Sequence, residues 1–393
     1  MASEKERMKK YCKSIDILDI RFLDLCAADC LRKKWKRRDV EEYFAEMLHA
    51  SRKEIRQKIQ NGNKPELAHA AALRMQRELK AKKLRLAPIW YKDKVDSSNN
   101  KTRRIGIQHI SQQLYDYVAV YAMSDLMRRI GEHQYASIPG RGPQKGMLKV
   151  RKWLKEKDVK YIAQLDVKKC FPSIPIPRVL AMVDKYVANA DARWLVHELL
   201  STFDGGLSIG SYLSQYLCNL YMSQLYHEIK ERMYYERRGK RIPLSKHALF
   251  YMDDILLLGT SSKGLHKAVK LICKYAEDKM GLAIKASWTV RRVDDGQFVD
   301  TMGFRVYGDH TTIRRRVFLR VRRAYRAPLK SGKITQKMAR KCVSYYGHIK
   351  NTNSVKLARK YKIHRTFRKS KGVIACDSVL RRRAAQCPYR RTG

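Results

Sequence analysis

The sequence predicts an α+β fold, a small antiparallel sheet set among helices, and three observations predict it. Two apolar runs, Tyr161–Leu165 and Phe250–Gly259, have the length and turn-like borders of buried strands. The second run is broken by Met252-Asp253-Asp254, so it reads as two strands joined by a tight turn. The first 90 residues and those after Arg314 carry helical spacing instead, and 393 residues suffice for two or three packed subdomains.

The elements follow in chain order. Residues 1–90 read as helices, with Ala68–Leu86 rich in the strong helix formers Ala, Leu, Lys and Arg. Two short strands flank the polar tip Asp96–Asn100 and predict a hairpin over 91–105. His109–Ile130 predicts one helix, and the Gly/Pro turn at Ser137–Gly146 opens another over Met147–Leu154. Val179–Phe203 predicts one or two helices. Gly205–Gln215 then leads into an apolar helix over Tyr216–Ile229, with Ser214 as a possible cap. After the Asp-Asp hairpin come a helix over Leu265–Met280 and a strand over Gly281–Lys285. Helical spacing persists to about Tyr361, and the segment from Ile363 on is expected to be disordered without RNA.

Composition narrows the partner. Eighty-five Lys and Arg against 37 Asp and Glu leave a formal net charge of +48. Such a chain repels itself unless a polyanion compensates, and nucleic acid is the default. From Arg314 onward there are 26 Lys and Arg against one acid, Asp377, interleaved with Tyr325, Tyr345 and Tyr346. That pattern suits a groove tracking a phosphate backbone. No run of about 18 apolar residues predicts a membrane span. The nine scattered Cys form no Cys-x-x-Cys pair, which argues against a zinc knuckle or disulfide framework and for a reducing, cytoplasmic setting. Cys26 and Cys30 are expected in a helical core, and the polar N-terminus does not read as a signal peptide.

Chemistry concentrates on three acids. Two neighbouring carboxylates, Asp253 and Asp254, sit at a hairpin tip between apolar strands, where burial is costly without a cation or donors. A lone Asp-Asp turn is most often only a turn. Asp166, ending the earlier apolar run, supplies a third acid on a neighbouring strand. Three hard-oxygen donors could hold two magnesium ions, the arrangement that phosphoryl transfer uses to activate a hydroxyl and stabilise a leaving pyrophosphate.

Tyr251-Met252-Asp253-Asp254, preceded by Asp166 with Phe171 five residues on, resembles the palm of reverse transcriptases. The resemblance covers roughly residues 90–355. It implies a right-hand polymerase with a basic helical extension (1–90), fingers (91–160), palm (161–310), helical thumb (311–362) and basic tail (363–393). It implies two metal ions, Mg²⁺ with Mn²⁺ as a substitute, held by Asp166 and Asp253 with the carbonyl of Val167, and Asp254 as an accessory acid. Phe171 would pack against the sugar C2′ and exclude ribonucleotides, or it is simply core. Lys101 and Arg103 would contact the triphosphate, or they are two exposed cations of a basic protein. Arg141 would steady template and nucleotide. Lys285 stands where the family has a candidate acid for pyrophosphate, or it is an ordinary strand lysine. Tyr251 would touch the primer end, and the Asp300–Val306 hairpin would grip the primer.

The motif Ile209-Gly210-x-x-x-Ser214-Gln215 resembles the reverse transcriptases of diversity-generating retroelements, where relatives of other classes show Gln-Gly and Ser-Pro. That resemblance implies copying of a template-repeat RNA into cDNA with errors at adenines, tied to Ile209 and Gln215. It also implies dNTP substrates and a small basic helical accessory protein that forms a pentamer. Two other readings stand beside it: a prokaryotic antiviral or abortive-infection reverse transcriptase, and an RNA-binding scaffold without synthesis.

Overall fold

A computed structural model describes residues 9–96, 101–293 and 297–386. The chain opens with α1 (Ile20–Leu31), α2 (Arg38–Met47), α3 (Arg52–Gln60) and α4 (Lys64–Lys80). Asp19 caps α1, and Ser51 with Glu54 forms a reciprocal capping box on α3. The strands β1 (Trp90–Asp96) and β2 (Lys101–Ile107) form the expected antiparallel hairpin. Its tip, residues 97–100, lies outside the described residues, as does the side chain of Lys101.

The next helix, α5 (Ile110–Ala122), ends earlier than its apolar spacing suggested and passes into a 3₁₀ turn over Ser124–Arg129. Then come α6 (Pro143–Trp153), β3 (Tyr161–Asp166), the short α7 (Cys170–Ser173), α8 (Ile176–Tyr186), α9 (Ala190–Ser201) and α10 (Tyr212–Glu231). Ser211, not Ser214, caps α10, accepting a hydrogen bond from the Ser214 N–H. A small hairpin that the sequence reading did not anticipate, β4 (Tyr234–Arg237) and β5 (Lys240–Pro243), precedes β6 (His247–Tyr251) and β7 (Asp254–Gly259). After α11 (Ser262–Met280), the strand expected at Gly281–Lys285 is reduced to a single bridge, Ile284 to Val167, before β8 (Thr289–Arg292).

The central sheet runs β6-β7-β3-β8, all antiparallel. Strands β3, β6 and β7 read as largely apolar runs because both of their faces are covered, whereas the edge strand β8 is polar and part-exposed. Alternate side chains point to opposite faces. Ala163, Leu165, Ala248, Phe250, Ile255 and Leu257 enter one core, with α5, α10 and α11. Ile162, Leu249, Leu256 and Leu258 enter a second core, with Met147, Val150 and Trp153 of α6. The first core also holds Leu23, Phe44 and Met75, so the N-terminal helices are continuous with the centre rather than appended to it.

A three-stranded sheet, β9 (Val299–Thr301), β10 (Phe304–Val306) and β11 (Thr311–Ile313), leads to α12 (Arg315–Ser331), α13 (Gln336–Lys350), α14 (Val355–Lys360) and α15 (Ile363–Gln386). These helices share a third core in which the Tyr325 hydroxyl donates to the Cys342 carbonyl at 2.8 Å. The expectation of disorder from Ile363 on is corrected. α15 buries Ile363, Thr366 and Ser370, and Phe367 stacks on Tyr346 with ring centroids 3.7 Å apart. Enough apolar surface is covered to order a strongly basic segment.

Candidate active site

The three acids meet where β3 ends and β6 turns into β7. Asp166 lies directly across from Asp254 in the β3–β7 register, and Tyr251 pairs with Asp254 across the two-residue turn. Met252 takes a left-handed φ of 55°, which closes that turn. The Asp253 carbonyl accepts the Val167 N–H at 3.1 Å, clamping the hairpin tip to the strand that carries Asp166. On the other side the Lys285 N–H donates to the Asp166 carbonyl at 2.9 Å, and the Lys285 ammonium forms an ion pair with the Asp166 carboxylate.

The electrostatics are those of crowded anions. Desolvation, then Asp166, raises Asp253 above the ordinary carboxylate range, while Lys285 and Arg103 pull it back. Asp254 is pushed up to about 6 by desolvation, then by Asp253 and Asp166, with Arg314 and Lys285 opposing. Water reaches Asp254 on the cleft wall, so the desolvation is that of a concave surface, not of a core. Among the described residues no group of three His, Cys, Asp or Glu side chains is already arranged to hold a metal ion. The donor set nonetheless fits divalent ions. All three donors are hard carboxylates, and the desolvation and the repulsion by neighbouring carboxylates that raise Asp253 and Asp254 are what a bound cation relieves.

Two clefts open from these acids and share Asp166, Asp253 and Arg103. The larger, of about 750 Å³, is lined by Val167, Phe171, Ile209 and Lys285, and by Tyr91 and Arg104 of the β1–β2 hairpin. The smaller, of about 560 Å³, adds Asp254, Asp300 and Arg314. Arg314 donates to Asp300 at 2.6 Å, so the latter cleft carries a braced cation beside Asp254.

The structure brings Asp166, Val167, Asp253, Lys285, Arg103, Phe171 and Ile209 around one space. It leaves three expected residues outside both clefts. Arg141 gives its Nη1 to the carbonyls of Gly131 at 2.6 Å and Gln134 at 2.9 Å, which holds the turn before α6. Gln215 lies one turn into α10, half-buried. Tyr251 packs against the second core.

Close backbone approaches shape the larger cleft. Leu207 N–H donates to the Phe171 carbonyl at 2.9 Å, and a Cβ on Gly206 would fall 2.2 Å from the Pro172 carbonyl oxygen. Gly106 N–H donates to the Ile209 carbonyl at 2.8 Å. A Cβ on Gly210, whose φ is 115°, would lie 2.5 Å from the Gly106 carbonyl oxygen. Glycine is therefore required on both sides where the loop meets β2. The hairpin is pinned by Arg104, which pairs with Asp204 at 2.7 Å and stacks over Tyr91.

Sequence reasoning missed Asp116. This fully buried acid on α5 accepts the Ser211 hydroxyl at 2.8 Å and faces the Leu213 N–H at 3.4 Å. It holds the end of the Ile209 loop and the start of α10 from within the core. An acid on the buried side of an apolar helix was the available signal.

The family model described as "Reverse transcriptase (RNA-dependent DNA polymerase)" matches residues 92–304, more than half of the chain. No curated protein matches. Among solved structures, telomerase from Candida albicans in complex with a fragment of telomeric RNA is 12% identical with a TM-score of 0.42, over 59% of this chain and 46% of that one. Apo telomerase from Candida tropicalis is 13% identical with a TM-score of 0.43, over 65% and 51%. A form of it lacking the C-terminal domain gives 13% and 0.41, over 60% and 58%. The chain thus spans about half the length of these structures, and at such scores the likeness says nothing of its chemistry. The matched residues run from the β1–β2 hairpin through all three acids to β10, and on that match the chain belongs to the reverse transcriptase family.

Proposed function

We propose that this chain is an RNA-directed DNA polymerase that copies a template-repeat RNA into cDNA with frequent errors at adenines, for diversity-generating retrohoming. The β1–β2 hairpin and the elements to residue 160 serve as fingers, 161–310 as palm, and 311–362 as thumb. The larger cleft takes the dNTP and the smaller the primer end. Template RNA lies against the basic surfaces, and a small basic helical accessory protein assembles with the chain, as the resemblance implies.

Each lining residue then has a task. Arg103, facing the acids from β2, neutralises phosphate charge. Lys285, already paired with Asp166, is placed to give a proton to the departing pyrophosphate. Phe171 closes the sugar side, where a 2′-hydroxyl would meet its ring. Asp166 and Asp253 would hold two divalent ions, with Asp254 beside them. When bound, such ions ease deprotonation of the primer hydroxyl and offset charge on the α-phosphate. Magnesium is the expected ion, with manganese able to replace it.

One observation carries the mutagenic reading. Ile209 lines the cleft beside Phe171, held there by its carbonyl on Gly106 N–H. An Ile side chain donates and accepts no hydrogen bond, so it imposes no polar constraint on the pair being formed. A Gln at this position could restore one, worth about 0.5–1.5 kcal/mol, or roughly three- to tenfold in discrimination. The test is sequencing of cDNA made from an RNA with the four bases evenly represented. Wild type is expected to err most at adenines, and Ile209→Gln to lower that rate. Uniformly low error, unchanged by the substitution, would reject this reading in favour of the antiviral class. No extension at all would favour the scaffold.

A further inference from the structure

The seven residues Arg32–Arg38, from the end of α1 to the first residue of α2, contain six cations. Two of them lie along one stripe of α5. Arg37 donates to Gln113 at 3.1 Å, and Lys34 sits 4.9 Å over the ring of Tyr117, one turn further on. Tyr121, a further turn along, packs on Tyr117 at 5.8 Å. Tyr117 in turn packs on Tyr212 at 4.6 Å. Tyr212 is exposed, and it opens α10 three residues after Ile209. A continuous tract therefore runs from the edge of the larger cleft, over tyrosine rings, to an exposed basic loop. Lys33 and Lys36 of that loop are exposed and have no acidic partner among the described residues.

We propose that this tract binds the unpaired template RNA ahead of the catalytic site, bases stacking on Tyr212 and phosphates meeting Lys33 and Lys36. Three features favour single-stranded nucleic acid over other occupants. An exposed tyrosine beside other rings offers a stacking face that tolerates any base. Lys34 and Arg37, which flank Lys36 in the same loop, lie one turn apart along the helix that carries Tyr117, so the loop's cations stand beside the rings as a backbone stands beside its bases. Arg32, Arg37 and Arg38 pair with Asp29, Asp39 and Glu42, which leaves Lys33 and Lys36 as charge without an acidic partner among the described residues; such charge suits a polyanion and disfavours a packed protein interface, where it is costly. The proposal rests on the polymerase reading for the direction of the strand.

The test uses the full chain and a DNA primer annealed to RNA templates with 5′ overhangs of either a single nucleotide or about twelve nucleotides. Binding is read by fluorescence anisotropy across a salt series, and single-nucleotide extension is read separately. Wild type is expected to bind the long overhang about tenfold more tightly than the short one. Tyr212→Ala should lose most of that increment and Tyr212→Phe should keep it. Lys33→Ala with Lys36→Ala should lower the salt slope for the long overhang by about 0.7 per lysine, and leave extension on the short overhang unchanged. A wild type indifferent to overhang length overturns the proposal, as does a Tyr212→Ala chain that keeps the full increment. Failure to extend the short overhang counts against the polymerase reading instead, because the binding increment is measured without synthesis.

Discussion

Asp253 and Asp254 are adjacent in the chain yet face different surroundings. Asp253 lies between both clefts with Asp166, while Asp254 looks toward Arg314 and the smaller cleft. Replacing Asp253 by Asn removes a charged oxygen from the site. Primer extension is expected to fall by orders of magnitude, while RNA binding by anisotropy is retained. Because its raised pKa reflects unfavourable ionisation, the same variant should melt no lower than wild type. Phe171 is the proposed obstacle to a 2′-hydroxyl, and the carboxylates do not contact that group. Phe171→Ala is therefore expected to raise rNTP relative to dNTP incorporation, measured as the ratio of efficiencies.

Asp116 gives a pH dependence with a definite sign. Burial raises it from 3.8 to about 6, with only neutral donors opposing. A carboxyl raised in the folded state contributes stability fully present below pH 3.8 and lost as pH rises through 6. Above pH 6 the fold carries a buried anion, a cost of order 3 kcal/mol for a shift of this size. Asp116→Asn keeps an oxygen for Ser211 without the charge. Its melting temperature should exceed that of wild type at pH 7.5, by about half as much near pH 5, and match it only as pH falls to about 3.8. A constant difference across that range would show that ionisation of Asp116 is not the cause.

At the scale of elements, the larger cleft depends on three segments touching through backbone. The turn at Phe171-Pro172, the loop Gly205–Gly210 and strand β2 leave no room for a Cβ at Gly206, Gly106 or Gly210. Gly206→Ala is the sharpest probe, because a Cβ there falls 2.2 Å from a carbonyl oxygen, and, unlike Gly210, Gly206 has no positive φ to add backbone strain to the collision. Such overpacking costs about 1–3 kcal/mol. The loop is expected to lift from Phe171, raising KM for dNTP several-fold with a smaller effect on primer–template affinity.

At the scale of the molecule, the C-terminal helices form a separate core tied back by Gln144 of α6, whose amide donates to the Gly347 carbonyl at 2.7 Å. α15 completes that core. Ending the chain after Lys362 removes buried Ile363 and the Tyr346–Phe367 stack, a loss of at least about 2 kcal/mol. The shortened chain is expected to melt several degrees lower and to bind primer–template more weakly at moderate salt. An unchanged melting curve would return this segment to the status of a loose basic tail.

The catalytic strands were legible because their signal is local. An apolar run ending in an acid, and a hairpin with two acids at its tip, place Asp166, Asp253 and Asp254 at strand ends whatever surrounds them. Charge alone pointed to nucleic acid, since +48 needs a polyanion. Tertiary structure decided what depends on distant neighbours. Asp116 and Arg141 look like surface residues by type, yet one is buried under the Ile209 loop and the other is spent on carbonyls, because the polar groups of α10 and of a turn needed partners there. The strand expected at Gly281–Lys285 shrank to one bridge, and the tail expected to be loose became α15, because pairing and burial are set by what packs alongside. A short segment can state its own preference, but whether that preference is met depends on partners a hundred residues away.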